Sequence, residues 1–378
     1  MDPNKEERSM RRIPRLALAL AVAGAASLAV AATSQASTGA VYTLTNDPAG
    51  NAVAAFERAP NGALTPAGRF RTGGTGTGGS LGNQGGLVAG YGGHQLFAVD
   101  AGSDEISSLA IRRHGLRLVD TVRSGGDTPV SVTVHRDLLY VLNAGSAGSP
   151  GNITGFRISR HGHLSPIPHS TRPLSADQTG PAQIEFDPSG DVLVVTEKAT
   201  NAIDTYTVDR DGRASGPDVF ASAGQTPFGF AFAGDDTLIV SEAFGGTASA
   251  LSSYDTDRDG GLATITPSLL AGSERVSCWV VVTADGRFAF TTNTGSGSIS
   301  SYAIGRHGRL SLLDDVAVQQ GGAPIDAALS HGSRFLYVLN SAQNRIGAYR
   351  VGDDGSLTTL TGFGASGFPA GANGLVAL

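Results

Sequence analysis

An apolar residue, aromatic in six cases of seven, is followed six positions later by glycine at nearly even intervals along this 378-residue chain. The pairs are Phe56/Gly62, Leu109/Gly115, Phe156/Gly162, Tyr206/Gly212, Tyr254/Gly260, Tyr302/Gly308 and Tyr349/Gly355. Their first members lie 53, 47, 50, 48, 48 and 47 residues apart. Self-similarity at this period marks a repeat architecture. Each unit reads as strand, tight turn, strand. Glycine supplies the positive φ of a hairpin turn, and the Asp or His often found before it suits the preceding turn position.

A further strand precedes each aromatic, clearest at residues 139–143 and 336–340, and before that comes a strand opened by proline at Pro129, Pro181, Pro227 and Pro324. Four strands per unit and seven units predict an all-β chain, a seven-bladed β-propeller of four-stranded antiparallel blades. The load of 53 glycines and 17 prolines is what so many turns require. The first unit lacks a proline-opened strand, and residues 368–375 carry that pattern. The C-terminal strand is therefore expected to pair into the first blade and close the ring, removing two exposed edges.

Residues 1–36 read as a signal peptide. Arg8, Arg11, Arg12 and Arg15 precede an uncharged apolar run from Leu16 to Ala32, and Ser34-Gln35-Ala36 offers a cleavage site of small residues. Removal leaves 37–378 as one propeller, secreted or extracytoplasmic, with no membrane attachment. The net charge moves from −6 to −8, a surface that repels nucleic acid. Cys278 is the lone cysteine, so the core must hold an exported domain without an internal disulfide. A monomer is expected.

In a propeller the innermost strands line a central channel, and a polar funnel there is the default site. Aligning the repeats puts Thr45, Asp100, Asn143, Glu197, Glu242, Asn293 and Asn340 at the ends of second strands. It puts Gln84, Ser131, Gln183, Gly229, Trp279, Asp326 and Gly371 near the starts of inner strands. Both rings are expected at one mouth.

The repeat frame, and above all the stretch from Gly180-Pro181-Ala182-Gln183 to Thr196-Glu197, resembles the bacterial lactonase family. That family includes propeller-type 6-phosphogluconolactonases and is similar to fungal carboxymuconate-cyclising enzymes. The resemblance implies Gly-Pro-Arg-His before the inner strand and Asn-Glu ending the next. Its Arg would bind a substrate anion, with His and Glu beside the lactone. Glu197 matches; Ala182, Gln183 and Thr196 replace the Arg, His and Asn, and Ser131 stands where the preceding blade often has His. Lactone hydrolysis needs a base for water and a donor for the oxyanion. The expected assignments are Glu197 as base, Gln183 as donor and Glu242 as partner carboxylate. Asp326, Trp279, Asp100, Asn293, Asn143 and Asn340 are the expected substrate contacts. Loss of the Arg argues for an unphosphorylated lactone.

Other motifs fail on context. Gly74-Thr-Gly-Thr-Gly-Gly79 fits a nucleotide-loop pattern but lacks a following helix. Asp255-Thr-Asp-Arg-Asp-Gly260 starts like a calcium loop, yet Thr266 stands where a bidentate Glu belongs. Three Arg-His-Gly copies fall in different blades and cannot converge on one ion. No metal or cofactor is expected; a small-molecule ligand is. Two readings follow: an exported lactone hydrolase, or a non-catalytic extracellular propeller that presents loops to a ligand or protein.

Overall fold

The structure, a computed structural model, describes residues 39–378 apart from Tyr91 and Asp235. The expected signal peptide lies outside the described residues. The strands form seven antiparallel sheets. From the axis outward, the fourth contains Pro181–Phe186, Val192–Glu197, Ala202–Val208 and Ala214–Ala221. The other inner strands are Asn373–Ala377 (blade 1), Leu87–Ala89 (blade 2), Pro129–His135 (blade 3), Pro227–Ala233 (blade 5), Ser277–Val282 (blade 6) and Pro324–Leu329 (blade 7). Each inner strand lies against those of the blades on either side, all the way round.

Three expectations need correction. Among the described residues no sheet is closed on itself by hydrogen bonds, so the ring is not closed by the C-terminal strand. That strand pairs with Gly39–Leu44, Tyr42 opposite Val376 and Thr43 opposite Leu375, as the inner member of an open four-stranded sheet. Hydrogen bonds run along a blade from axis to rim, and successive blades meet mainly through packed side chains. The strand also begins later than its pattern suggested: Phe368 lies outside it, edge-on to Phe56 with ring centroids 6.3 Å apart, and Gly371 is in the turn before it. In addition, blades 3 and 7 are five-stranded because the outer strand is broken in two, Leu164–Pro166 with Arg172–Pro173 and Leu357–Thr359 with Ala365–Ser366.

The repeat glycines sit where blades meet. Tyr337 Oη donates to Gly62 O at 2.8 Å, Ser108 Oγ to Gly162 O at 2.6 Å, Tyr140 Oη to Gly212 O at 2.8 Å and Thr205 Oγ1 to Gly260 O at 2.7 Å. In each case the donor belongs to the preceding blade. The turn needs positive φ, and the next sheet lies too close for a side chain: at Gly62 (φ 95°) a Cβ would stand 2.7 Å from the buried Phe335 ring. Apolar side chains of adjacent blades interdigitate between the sheets, as Leu96, Phe97, Leu139 and Phe156 do.

The inner strands carry the channel. Their first residues are buried, while residues near the far end of most keep some exposure, as in Val134–His135, Ala231–Phe232 and Val281–Val282. The channel therefore opens at the end where inner strands finish. At the other end, the segment entering blade 2 crosses the axis. Gln84 N donates to Ala182 O of blade 4 at 3.0 Å, and its side-chain amide is doubly bonded to Val280 of blade 6. Lys198 Nζ, bonded to Gly82 O and to Pro181 O at 3.0 Å, ties this segment down.

Candidate functional site

The second-strand ring faces into the blades. Asp100 accepts from Thr72 Oγ1 and Ser107 Oγ, both at 2.6 Å, and from Asn51 Nδ2 at 2.9 Å. Asn143 bonds Asn152, Asn293 bonds Ser298 and Ser300, and Asn340 bonds Gly321 O and the Gln343 amide. Glu242 accepts from Ser252 and Ser268 Oγ. Burial raises its pKa, and those hydroxyls partly offset the effect. All six side chains named so far, counting Glu197, are fully buried. They fasten loops to strand ends.

Glu197 Oε1 accepts from Ser175 N at 3.0 Å, and Oε2 from Thr200 Oγ1 at 2.6 Å and from Ser175 Oγ. The same Ser175 amide lies 3.1 Å from Asp204 Oδ2. Burial and the adjacent Glu197 carboxyl push Asp204 up to about 8. Gln183 stands opposite Thr196 on the paired strand, but its amide points elsewhere. Oε1 accepts from Phe230 N at 2.7 Å; Nε2 donates to Phe230 O at 3.0 Å and to Glu185 Oε2 at 2.7 Å. The Glu197 and Gln183 polar atoms thus have separate partners. Trp279 packs on Phe228, ring centroids 4.9 Å apart, at the sealed end of the channel; its Nε1 has no hydrogen-bond partner among the described residues.

Below the Gln84 crossing is a cavity of about 300 Å³, lined by Gln84, Gln183, Glu185, Asp326 and Thr133 together with Val, Leu and Ile side chains of four blades. Larger hollows exist on the outer surface, such as one between blades 5 and 6 lined by Asp236, Asp255, Asp285 and His307 among others, away from the axis. Of the residues expected at the site, Gln183 and Asp326 reach the cavity; the six blade-facing residues do not line it, nor does Trp279.

Glu185 was missed by the sequence reading. It is half-buried in the channel wall yet packed deeply enough that burial pushes it up to about 8, against the lowering bond from Gln183. The signal was available: Gln183 and Glu185 are two apart and so share a strand face. Glu185 and Asp326 are also the two acids within the seven inner strands.

Asp326 is the extra residue of a bulge between Ile325 and Ala327, at φ 43°. Bulges and positive φ at a non-glycine residue re-aim a side chain and collect at functional sites. Its Oδ1 accepts from Ala327 N at 2.9 Å, while Oδ2 has no hydrogen-bond partner among the described residues. Burial pushes it up to about 7; nearby amides of Ala327, Gly374 and Leu375 act in the opposite direction. Thr133 Oγ1 accepts from Phe186 N at 3.0 Å, an arrangement that leaves its proton for another acceptor.

Among the described residues no group of three or more His, Cys, Asp or Glu could hold a metal, and no helix is long and apolar enough to cross a membrane. In the suspected calcium loop, Asp257 Oδ1 accepts from the amides of Asp259 and Gly261, as a turn cap does.

These features define a seven-bladed propeller with a carboxyl-bearing well on its axis. The sequence profile of the family "Lactonase, 7-bladed beta-propeller" matches residues 87–365, and the chain belongs to that family. A search of curated proteins finds no match. Among solved structures, the chain is similar to a Bacteroides uniformis protein provisionally assigned as a 6-phosphogluconolactonase, with a TM-score of 0.73 and 18% identity over 90% of this chain and 99% of that one. It is similar to a periplasmic gluconolactonase of Pseudomonas aeruginosa, TM-score 0.71 and 15% identity, covering 89% of this chain and 99% of the other. A Lactobacillus plantarum protein gives a TM-score of 0.73 and 18% identity over 90% and 99%. At these identities the structures establish the fold. The family likeness and the buried Asp, Glu and Ser groups around the channel fit a hydrolase in general terms.

Proposed function

We propose that the protein hydrolyses a small unphosphorylated lactone in the axial cavity, with Glu185 as general base. The observation that carries this reading is the bond from Gln183 to Glu185 at the wall of a 300 Å³ cavity. It fixes one carboxylate oxygen and leaves the other for water. Glu185 takes a proton from water as the oxygen attacks the lactone carbonyl; the Thr133 hydroxyl donates to the developing oxyanion. The intermediate then collapses with cleavage of the ring C–O bond. The proton passes from Glu185 to the departing ring oxygen, giving the hydroxy acid. Asp326 orients the substrate. Among the described residues no Lys, Arg or His lines the cavity, which disfavours a phosphate-bearing substrate. Glu197, assigned the base in the sequence reading, serves in this proposal to anchor the Ser175 loop.

The test is turnover of a lactone panel by the wild type, Glu185→Gln and Glu197→Gln. Loss in the first variant alone supports the proposal. Loss confined to Glu197→Gln returns the base to that residue. No turnover by the wild type favours the alternative, a ligand-binding propeller, for which the buried and fully bonded Glu197 speaks.

A further inference from the structure

The cavity combines apolar walls with two acids. Its walls are hydrocarbon, from Leu87, Val132, Val134, Ile184, Leu375 and Val376, and two carboxyl groups enter it from blades 4 and 7. Each carboxyl has one oxygen fixed by an amide, Glu185 Oε2 by Gln183 and Asp326 Oδ1 by Ala327. Each leaves its other oxygen without a protein hydrogen bond among the described residues. For Asp326 that oxygen belongs to a side chain only 3% exposed, and the amides of Gly374 and Leu375 beside the carboxyl compensate its charge in part without completing a hydrogen bond to it. A buried carboxyl oxygen without a partner is costly, and such groups in native proteins call for an explanation. Inner strands of several blades are bulged near their starts, and in blade 7 the extra residue is Asp326, an acid held at φ 43°.

We propose that Asp326 is the subsite for a protonated amine carried by a small, otherwise apolar ligand, so that the substrate is an amino-substituted lactone. An ammonium group supplies up to three donors and a positive charge, matching one orphan oxygen directly and a second carboxyl nearby. A bare divalent cation fits poorly. Calcium takes six to eight oxygen ligands, and much of this lining is aliphatic. An anionic ligand would meet two acids and no base. The apolar walls accept the ring while Asp326 selects its substituent, the usual division of labour in a small-molecule site.

The subsite rests on the cavity being the ligand site, and binding measured without turnover separates it from the hydrolase proposal. Isothermal titration of the purified protein at neutral pH and constant salt would compare cyclopentylammonium with cyclopentanol, a neutral ring of similar size. The ammonium is expected to bind at least about tenfold more tightly. Asp326→Asn, a residue that tolerates positive φ, should erase that preference and leave cyclopentanol binding unchanged. Circular dichroism of the variant confirms folding, and Glu185→Gln provides a second, milder loss of preference. Equal affinities for the two probes, absence of binding by both, or a preference unaltered in folded Asp326→Asn would overturn the subsite. If the ammonium binds but no lactone is turned over, the subsite stands and the hydrolase reading falls. If plain and amino-substituted lactones are hydrolysed at equal kcat/KM, hydrolysis stands and the subsite falls.

Discussion

Gln183 holds Glu185 by a 2.7 Å bond from Nε2 to Oε2, while the same amide is fastened at both ends to the backbone of Phe230 in the next blade. One side chain thus joins two blades and holds a carboxyl at the cavity wall. An amide donor of this kind can serve either protonation state of its acceptor, so the contact survives titration.

If Glu185 is the base, Glu185→Gln should lower kcat by about a hundredfold or more with little change in melting temperature. Because its pKa is pushed up to about 8, wild-type kcat/KM should climb with pH and level off above that value. Initial rates from pH 6 to 9.5 check both statements; a flat profile would count against Glu185.

The same shift links to stability. Glu185, with an ordinary value near 4.5, retains its proton in the folded protein up to about 8, so between those values the folded state binds more protons than the unfolded chain. Stability should therefore fall as pH rises through that window, and Asp326, pushed up to about 7, adds to the slope over its own range. Urea midpoints at pH 5 and pH 8 should differ in that direction, with a smaller difference in Glu185→Gln.

Gln183→Ala deletes both Phe230 contacts and leaves buried main-chain groups unpaired, at a cost of about 2 kcal/mol. It should also release Glu185. Denaturant unfolding measures the first effect and the pH–rate profile the second.

Gly62→Ala must place a methyl against the Phe335 ring at φ 95°, and should cost about 2 kcal/mol in the same assay. Gly79, with nothing within 4 Å and ordinary φ, should accept alanine nearly silently.

Cys278 is buried, and burial pushes its thiol up to about 12. It should resist thiol reagents in the folded protein and react stoichiometrically once unfolded. A native-state reaction at the unfolded rate would contradict this packing.

The repeat was legible because one physical demand, a tight turn abutting the next sheet, acts in every blade and selects glycine each time. The pairing of the tail with the first blade could be anticipated from an incomplete unit. Its start at Asn373, and the breaks in two outer strands, depend on packing that no local pattern records. Site reading was poorer for a specific reason. Alignment of repeats locates Glu197 and Asp100 along the strand but does not tell which neighbour their carboxyls meet; Ser175 and Thr72 come from loops whose paths the repeat does not dictate. Asp326 was found by alignment, although the bulge moves it out of register with Gln183. Glu185 lies within an inner strand, whereas the recurring polar residues that the repeat aligns lie at strand ends.

Gln84, reaching across the axis from Ala182 to Val280, turns a pipe into a blind well. A well has a single doorway. If lactones are turned over there, whatever enters leaves by the same route, and a spent molecule obstructs its successor. Polymers cannot be threaded through such a space; only compact molecules, or chain ends, can reach its floor.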